Sequence, residues 1–339
     1  MIRALKGAAC AIAMCLAGTA SAQVAGVPLE MEPGTCMREC LEGKVESYVQ
    51  AMVDGTISDE LFARDVRFTE NGVQMPFGNE GLWATASGAQ GYRLIVPDVV
   101  TQQVAALLTV QETAGSSATG PDLPSDPVGI SLRLRIDREG KISEVEQIVA
   151  RPDRPLGPPP PPNPNAWPPT GEGVEALGSP WEGYFEAVPE GERHSRAELV
   201  EMANAYFEAV ERNTGKDYYP FTDDCLRIEN GFTVVSPPDP ENPNRQTCRG
   251  QLETSLIDTV TSIRDRRIVA VDRERGVVFA FAFFDHRPIN WSWQLGELFK
   301  VENGKISRIE AIFIRGPYGM CSGWSTYEQC RSEEPQDVR

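Results

Sequence analysis

The order of apolar and polar residues predicts a helix followed by short strands in the first half of the chain. Helical spacing begins near Cys36 and continues to about Val53, and Gly55 ends it. Residues 130–136 alternate between apolar and polar throughout, which is typical of a half-buried strand. The other elements predicted here are a short, glycine-broken helix over 80–91 and strands near 66–70, 73–75, 92–96, 104–111 and 140–151.

The second half repeats this order with more regular elements. Ser195 and Glu198 are spaced as a capping box, which predicts a helix from there to about Glu211. A full helix is predicted over 251–263, followed by strands near 267–272, 277–284, 292–301 and 305–314. Runs of strands joined by tight turns exclude a parallel βαβ sheet. We therefore predict α+β architecture: two tandem cone-shaped domains, each a curved antiparallel sheet with helices packed on its concave face.

Two phrases that occur twice show that a domain is duplicated. Residues 62–72 and 221–231 agree at five of eleven positions and share Glu-Asn-Gly near their ends. Residues 140–151 and 304–315 agree at seven of twelve. Two matches in the same order at nearly the same separation indicate a repeat. Asn-Gly between short strands also predicts a two-residue hairpin turn, because both turn residues must accept positive φ.

The N-terminus has the pattern of an export signal. Arg3 and Lys6 precede a short apolar stretch, and the A-x-A pattern at 20–22 predicts cleavage before Gln23. We expect a signal peptide over 1–22 and a secreted or periplasmic protein, with a retained N-terminal anchor as the alternative. Neither this stretch nor any later apolar run reaches the length that spans a bilayer.

Composition sets the remaining boundaries and excludes some partners. The first domain is predicted over 36–151 and the second over 195–316, with a Cys-containing tail at 317–339. A linker over 152–194 separates them, since ten prolines within 151–170 predict a semi-rigid polyproline II spacer.

The formal net charge is −17. So acidic a surface repels phosphate backbones and anionic membranes, and we expect no nucleic acid or membrane partner.

Six cysteines remain after the predicted cleavage, and an even number in an exported chain favours disulfides. Sequence alone permits fifteen connectivities for six cysteines. Proximity along the chain suggests the pairs Cys36–Cys40, Cys225–Cys248 and Cys321–Cys330. A metal site is not expected, because the two histidines are not spaced as ligand pairs and no CxxC occurs.

The order of elements resembles the nuclear-transport-factor-2-like fold, whose superfamily includes ketosteroid isomerase, scytalone dehydratase and the SnoaL-type polyketide cyclases. The wording of several segments resembles a secreted bacterial and fungal family of unknown function. These segments are CMRECLEG, RFTENG, GLW, DRRIVAVDRERGVVFAFAFFDH, ELFKVENGKI and PYGMCSGW. The resemblance implies ligands held inside the cone, pairing of the two sheets as an internal pseudo-dimer within a monomer, and no established activity.

Candidate acid–base residues are carboxylates and a histidine near apolar strand positions. Glu310 is predicted to share a face with Ile306 and Ile312, and an unpaired carboxylate there would have a raised pKa. Asp285 and His286 end an apolar strand, and superfamily dehydratases and cyclases use such residues. Tyr206 could orient a substrate from the first helix of the second copy. Each has a structural alternative: a salt bridge, a strand end or core packing.

Candidate ligand-binding residues were chosen for aromatic or cationic character, or for correspondence with the acid–base set. They are Trp83, Tyr92, Arg93, Glu146, Tyr48 and Arg264. No cofactor is expected, since no phosphate loop or dinucleotide fingerprint is present. The sequence favours a cofactor-independent lyase or isomerase acting on a small apolar or aromatic molecule by general acid–base chemistry. A non-catalytic module that binds a small molecule or a partner is the alternative, and a purely structural pseudo-dimer is a third.

Overall fold

A helix opens each half because its apolar stripe packs against the sheet that follows. Helix α1 (Arg38–Asp54) ends at Gly55, which has φ of 60° and lacks the Cβ that disfavours this conformation. The computed structural model describes residues 35–113, 125–152, 168–213, 215, 218–241, 246–254 and 259–339. The predicted signal peptide and the prolines at 158–162 lie outside the described residues.

The first sheet has six strands in the order β2-β1-β6-β5-β4-β3. These strands are β1 (Phe62–Glu70), β2 (Val73–Gln74), β3 (Ala86–Asp98), β4 (Gln103–Thr113), β5 (Ser125–Ile136) and β6 (Ile142–Ala150). Strand β1 runs parallel to β6, and the other pairs are antiparallel. The α+β class is confirmed, but the sheet is mixed rather than purely antiparallel. Turn residues predict the pairing of strands that follow one another in sequence. The parallel pairing of β1 with β6, which are far apart in the chain, could not be predicted from them.

The second sheet repeats this arrangement. Its order is β13-β9-β10-β11-β12-β7-β8, with β7 parallel to β12. The linker helix α2 (Thr170–Ala176) and the capped helix α3 (Arg196–Arg212) precede the sheet, and α4 (Cys248–Thr254) interrupts it. The strands are β7 (Phe221–Glu229), β8 (Phe232–Val235), β9 (Ser262–Asp272), β10 (Val277–His286), β11 (Trp291–Glu302), β12 (Lys305–Pro317) and β13 (Gln336–Asp337).

Two predicted helices are wrong. Only a 3₁₀ turn at Gly81–Ala84 occurs within 80–91, and β3 begins at Ala86. Of the helix predicted over 251–263, residues up to Thr254 are helical, 255–258 lie outside the described residues, and β9 begins at Ser262. Both β3 and β9 contain register shifts against their partners. A shift adds an unpaired residue and breaks the period of two that identifies a strand in sequence.

Three apolar cores follow from this layout. One lies between α1 and the first sheet, and a second between α3 and the second sheet. The third joins residues of both sheets, among them Leu94, Ile148, Phe279 and Leu298, with Val174 of α2 and Tyr184. The sheets thus contact each other through the faces that the helices leave uncovered, and the side of the sheet on which a residue lies decides its surroundings.

The repeated Glu-Asn-Gly phrase forms the same turn twice. Asn71 and Asn230 have φ of 51° and 50°, and the glycines that follow them have φ of 77° and 85°. The Asn71 amide also accepts from Val149 N at 2.7 Å and donates to its carbonyl at 3.3 Å. Asn230 makes the matching pair with Phe313. Each asparagine therefore makes the turn and also pairs with the neighbouring parallel strand.

The three cysteine pairs are those that proximity along the chain suggested. Cys36–Cys40, Cys225–Cys248 and Cys321–Cys330 have Cα–Cα separations of 5.2, 5.9 and 5.8 Å. The middle pair joins β7 to α4. Of the helices in the described part of the chain, none combines the length and apolar character needed to cross a membrane.

Candidate functional site

The predicted site residues divide between opposite faces of the second sheet. Ile306 belongs to the core beneath α3, whereas Ile312 belongs to the core between the sheets. A register shift between Ile306 and Arg308 breaks the alternation that was expected to place both on one face. Glu310 consequently faces the first domain and not the interior of its own cone. The corresponding shift near Ile142 does the same for Glu146.

Glu310 is buried between the sheets with Tyr92 of the first domain. The Tyr92 hydroxyl donates to the Glu310 carboxylate. Burial raises the pKa of Glu310 to about 7, and the hydrogen bond from Tyr92 lowers it in part. Tyr92 and Arg93 are consecutive on β3 and therefore project to opposite faces. Tyr92, a candidate ligand-binding residue, therefore lies between the sheets and not inside the first cone, while Arg93 donates to the Tyr92 and Thr109 carbonyls.

Glu146 and Asp285 are held in buried ion pairs. Arg267 binds both Glu146 oxygens at 2.7 Å, and Arg133 Nε lies 3.3 Å from one of them. Arg264 binds Asp285 at 2.8 and 3.1 Å, and Ser292 also donates to that carboxylate. Arg264 is a candidate ligand-binding residue, but its side chain is buried and engaged by Asp285 and the Cys330 carbonyl. These residues hold the structure together and do not form a free acid–base set.

His286 lies on the other face of β10, towards the second cone. Its ring packs against Trp293 with centroids 4.1 Å apart. Burial lowers the pKa of His286, which the Thr259 backbone and the Asp285 charge offset only in part. Although Asp285 and His286 are adjacent in sequence, strand geometry points their side chains in opposite directions. The four predicted catalytic residues therefore do not converge.

The interior of the first cone is occupied by its own side chains. Trp83 Nε1 donates to the Tyr48 hydroxyl at 2.9 Å, and Tyr48 donates to Gln147 at 2.8 Å. Gln147 in turn donates to Glu70 at 2.8 Å. Phe62 and Trp83 pack edge to face with centroids 5.8 Å apart. Trp83 and Tyr48 lie inside this cone, but they satisfy one another.

The second cone holds a polar cluster that the sequence prediction included only through Tyr206. Arg227 Nη1 donates to the Tyr206 hydroxyl at 3.4 Å, and its Nε lies 2.9 Å from Glu229. Arg227 also donates to Gln251. Glu297 of β11 completes the cluster, with its Oε2 lacking a hydrogen-bond partner among the described residues. We call Tyr206, Arg227, Glu229, Gln251 and Glu297 the cone cluster.

Glu297 is the titratable group of this cluster whose proton can move near neutral pH. Complete burial raises its pKa to about 8, and the negative charge of Glu229 adds to the rise. Arg227 and the hydroxyl of Tyr206 act in the opposite direction without offsetting it. The pKa of Tyr206 is also raised, mainly by burial. At neutral pH both groups are therefore protonated, and they bond to each other while Oε2 of Glu297 has no partner among the described residues.

Strand register shows that the first cone lacks this chemistry. Glu297 pairs with Ala311 on the last strand of the second sheet, whereas Leu132 pairs with the corresponding Gln147 in the first. In the same way, Phe68 holds the position of Arg227. The two copies share their architecture, but a carboxyl and a guanidinium in one are replaced by leucine and phenylalanine in the other.

A signal for Glu297 was present in the sequence. Trp293, Leu295, Phe299 and Val301 alternate along β11, and Glu297 interrupts this apolar face. Glu310 was predicted as a site residue because it is a carboxylate on an apolar face, and the same pattern holds for Glu297. No register shift between β10 and β11 changes the face of Glu297. Within the described residues, no group of three or more potential ligands is placed to hold a metal ion.

Comparisons with known proteins match part of the chain and name no activity. A family described as "Domain of unknown function (DUF8021)" matches residues 192–313, which is less than half of the chain. No curated protein matches. This match agrees with the resemblance to a family of unknown function that the sequence indicates, over residues 192–313.

Three solved structures illustrate the similarity. A de novo designed protein with a curved β-sheet has 18% identity and a TM-score of 0.26, covering 36% of this chain and 88% of its own. A protein from Sphaerobacter thermophilus has 14% identity and a TM-score of 0.27. The match covers 34% of this chain and 96% of that protein. An NTF-2 like protein of unknown function from Burkholderia xenovorans LB400 has 13% identity and a TM-score of 0.26. The match covers 39% of this chain and 95% of that protein.

Proposed function

We propose that the second cone binds a small, largely apolar molecule with a carbonyl oxygen and exchanges protons with it, as a cofactor-independent isomerase or lyase does. One observation carries the proposal: Glu297 is fully buried with an unpartnered oxygen, beside Tyr206 and Arg227, in the cone and not in the first copy. A buried polar atom without a partner is costly, and strongly shifted carboxyls recur at sites where a proton is transferred.

The cluster divides the work between donors and an acceptor. Protonated Glu297 and Tyr206 would donate to the substrate oxygen and stabilise negative charge as it develops there. The Glu229 carboxylate, held by Arg227 at 2.9 Å, would accept the proton from the carbon next to the carbonyl. Returning that proton to another carbon completes an isomerisation, whereas loss of a leaving group from the neighbouring carbon completes an elimination. Activity should fall above about pH 8, where Glu297 ionises.

Deuterium exchange into ketones tests this chemistry directly. The wild-type protein in D₂O should exchange the activated protons of at least one of a panel of cyclic and aromatic ketones, followed by ¹H NMR. Glu229→Gln should lose about 100-fold and Glu297→Gln about tenfold or more. Glu302→Gln is the control, because Glu302 lies on the same strand outside the cone cluster. Exchange equal to buffer for every ketone, or unchanged in both variants, would refute proton transfer.

We also propose that the first copy serves as the structural half of an internal pseudo-dimer. The contacts between the halves are reciprocal, as expected of related subunits. Arg38, the first residue of α1, binds Asp272 of the second sheet at 2.6 and 2.8 Å. Arg196, the first residue of α3, binds Asp98 of the first sheet at 2.6 Å. Because the first cone is filled, its contribution would be to position the second.

Two further points belong to the proposal. Three cysteine pairs at disulfide distance indicate an oxidising compartment, and with the export pattern they support secretion or a periplasmic location. A non-catalytic binding module is the second candidate, favoured by the engagement of Glu146 and Asp285 in salt bridges. Saturable ketone binding without deuterium exchange would identify that alternative.

A further inference from the structure

Four aromatic rings and one arginine gather at one end of the second sheet, on the face directed to the second cone. His286 pairs with Trp291 across β10 and β11, and Trp293 pairs with Arg315 across β11 and β12. His286 packs on Trp293 at 4.1 Å, and Trp293 packs on Phe313 at 5.2 Å. We call His286, Trp291, Trp293, Phe313 and Arg315 the aromatic rim.

The rim contains hydrogen-bonding groups that the described part of the protein leaves unused. His286 is 1% exposed, and the Thr259 backbone interacts with its ring. Neither ring nitrogen, however, makes a hydrogen bond of good geometry to a described residue. The indole N–H of Trp291 is buried without a partner as well. A neutral imidazole offers one donor and one acceptor, which together match a hydroxyl group. Buried groups of this kind are normally paired, so an absent partner points to a ligand.

The rings and the charge define the rest of that ligand. Trp291, Trp293 and Phe313 are half-buried and present apolar area. The exposed Arg315 holds its guanidinium 4.4 Å from the centre of the Trp291 ring. Asp285, the neighbouring carboxylate, projects from the opposite face and is bound to Arg264. A cation is therefore available at the rim of a protein whose net charge is −17.

From this arrangement we propose that the aromatic rim binds a planar aromatic molecule that carries a hydroxyl group and a carboxylate. The ring packs on the tryptophans and Phe313, the hydroxyl pairs with His286, and the carboxylate meets Arg315. The site is separate from the cone cluster and does not rest on its chemistry. Glu297 pairs with Ala280, which lies six residues before His286 on β10, a distance of roughly 20 Å along a strand.

Three probe molecules test the three parts of the ligand. 4-Hydroxybenzoate should bind saturably at pH 7.5, followed by tryptophan fluorescence and by ¹⁵N shifts of the imidazole. Benzoate, which lacks the hydroxyl, should bind about tenfold more weakly. 4-Hydroxybenzyl alcohol, which lacks the carboxylate, should bind two- to fivefold more weakly, by roughly the loss expected for an exposed ion pair. The chain has two histidines, so His194 is an internal control whose ¹⁵N signals should not move.

Matched variants identify the surface. His286→Phe keeps an aromatic ring and should weaken 4-hydroxybenzoate about tenfold while leaving benzoate unchanged. Arg315→Gln should weaken both and reduce the dependence on salt. Arg308→Gln is the control, because Arg308 lies 4.6 Å over Trp181 outside the rim, and it should have no effect.

The ¹⁵N measurement on the unmodified protein keeps the test decisive if His286→Phe does not fold. The proposal is overturned if 4-hydroxybenzoate does not saturate below about 10 mM, the weak limit of specific binding. It is also overturned if benzoate binds as tightly as 4-hydroxybenzoate, if the His286 nitrogens do not shift, or if Arg308→Gln weakens binding as much as Arg315→Gln.

Discussion

Replacing Glu146 with glutamine should destabilise the whole protein, because it removes a buried charge at the contact between the sheets. The side chains of Arg133, Glu146, Arg267 and Asp265 are all nearly inaccessible to solvent and sum to zero charge. Glutamine removes one negative charge, although Glu144 stays 2.7 Å from Arg133 Nη1. It also replaces two 2.7 Å bonds from Arg267 with at most one neutral one.

The expected cost is about 3 kcal/mol, the lower end of the range for breaking a buried ion pair. The lower end applies because Asp265 stays 3.2 Å from Arg267 Nε and still balances part of its charge. Replacing both Glu146 and Arg267 with methionine restores neutrality. That double variant should be less destabilised than the sum of the two single variants, since an apolar pair replaces the buried ion pair, although Asp265 loses its ion pair with Arg267.

Urea unfolding at pH 7 with the disulfides intact measures these values, by circular dichroism and by tryptophan fluorescence. Both signals should show one transition, because Glu146 and Arg267 belong to different sheets. Glu139→Gln is the control, with a side chain 78% exposed, and it should change stability by less than about 0.5 kcal/mol. A cost below about 1 kcal/mol for Glu146→Gln, or a double variant as unstable as the sum of the single ones, would refute the reasoning.

Three further predictions concern single features of the fold. Burial raises the pKa of Glu310 from an ordinary 4.5 to about 7, so ionisation opposes folding and stability falls as pH rises through that interval. Glu310→Gln should have the free energy of unfolding of wild type near pH 4.5 and exceed it by about 3 kcal/mol at pH 8. Urea unfolding measures both values, and an equal difference at the two pH values would contradict this. Asn71→Ala removes two bonds to β6 and should cost about 2 kcal/mol by thermal unfolding. Asn303→Ala should cost about half as much, because Asn303 makes the same turn without such bonds to a described strand, and equal costs would show that the β6 bonds contribute nothing. Replacing Cys225 and Cys248 with serine should lower the free energy of unfolding by about 3 kcal/mol. The same change at Cys36 and Cys40 should lower it by about 2 kcal/mol, because the loop closed there is shorter, with a separation of 4 residues against 23. The reverse order in calorimetry would count against the loop argument.

Local chemistry explains which elements were visible in the sequence. Ser195 and Glu198 form the predicted capping box, because a cap depends on residues three positions apart. Asn-Gly at 71–72 makes the predicted turn, because positive φ is a property of the residue itself. The helix predicted over 80–91 was wrong because β3 contains register shifts, and irregular pairing leaves no period to detect.

The candidate site was less predictable, because its residues depend on which face of a strand they occupy. A shift of one residue moves every later side chain to the opposite face, and the shift after Ile306 turned Glu310 away from the cone. Glu297 lies on a regularly paired strand, so the alternation of β11 would have been sufficient to place it. Its neighbours Arg227 and Gln251 come from other elements and carried no local signal.

The sequence by itself determined the duplication, the α+β class and the hairpin turns, because each depends on residues that are close along the chain or repeated in it. It suggested the cysteine pairs by proximity, and the structure chose them among fifteen connectivities. Only the tertiary structure decided what those residues face. Packing the two sheets together brought Tyr92 to Glu310 and Arg267 to Glu146 across more than a hundred residues. The same contact engages the predicted site residues Tyr92, Glu146 and Glu310 with buried partners. Proton transfer at Glu297 in the second cone is our proposal. The reason is physical: burial and pairing set a carboxyl's pKa, and neither is a property of the residue alone.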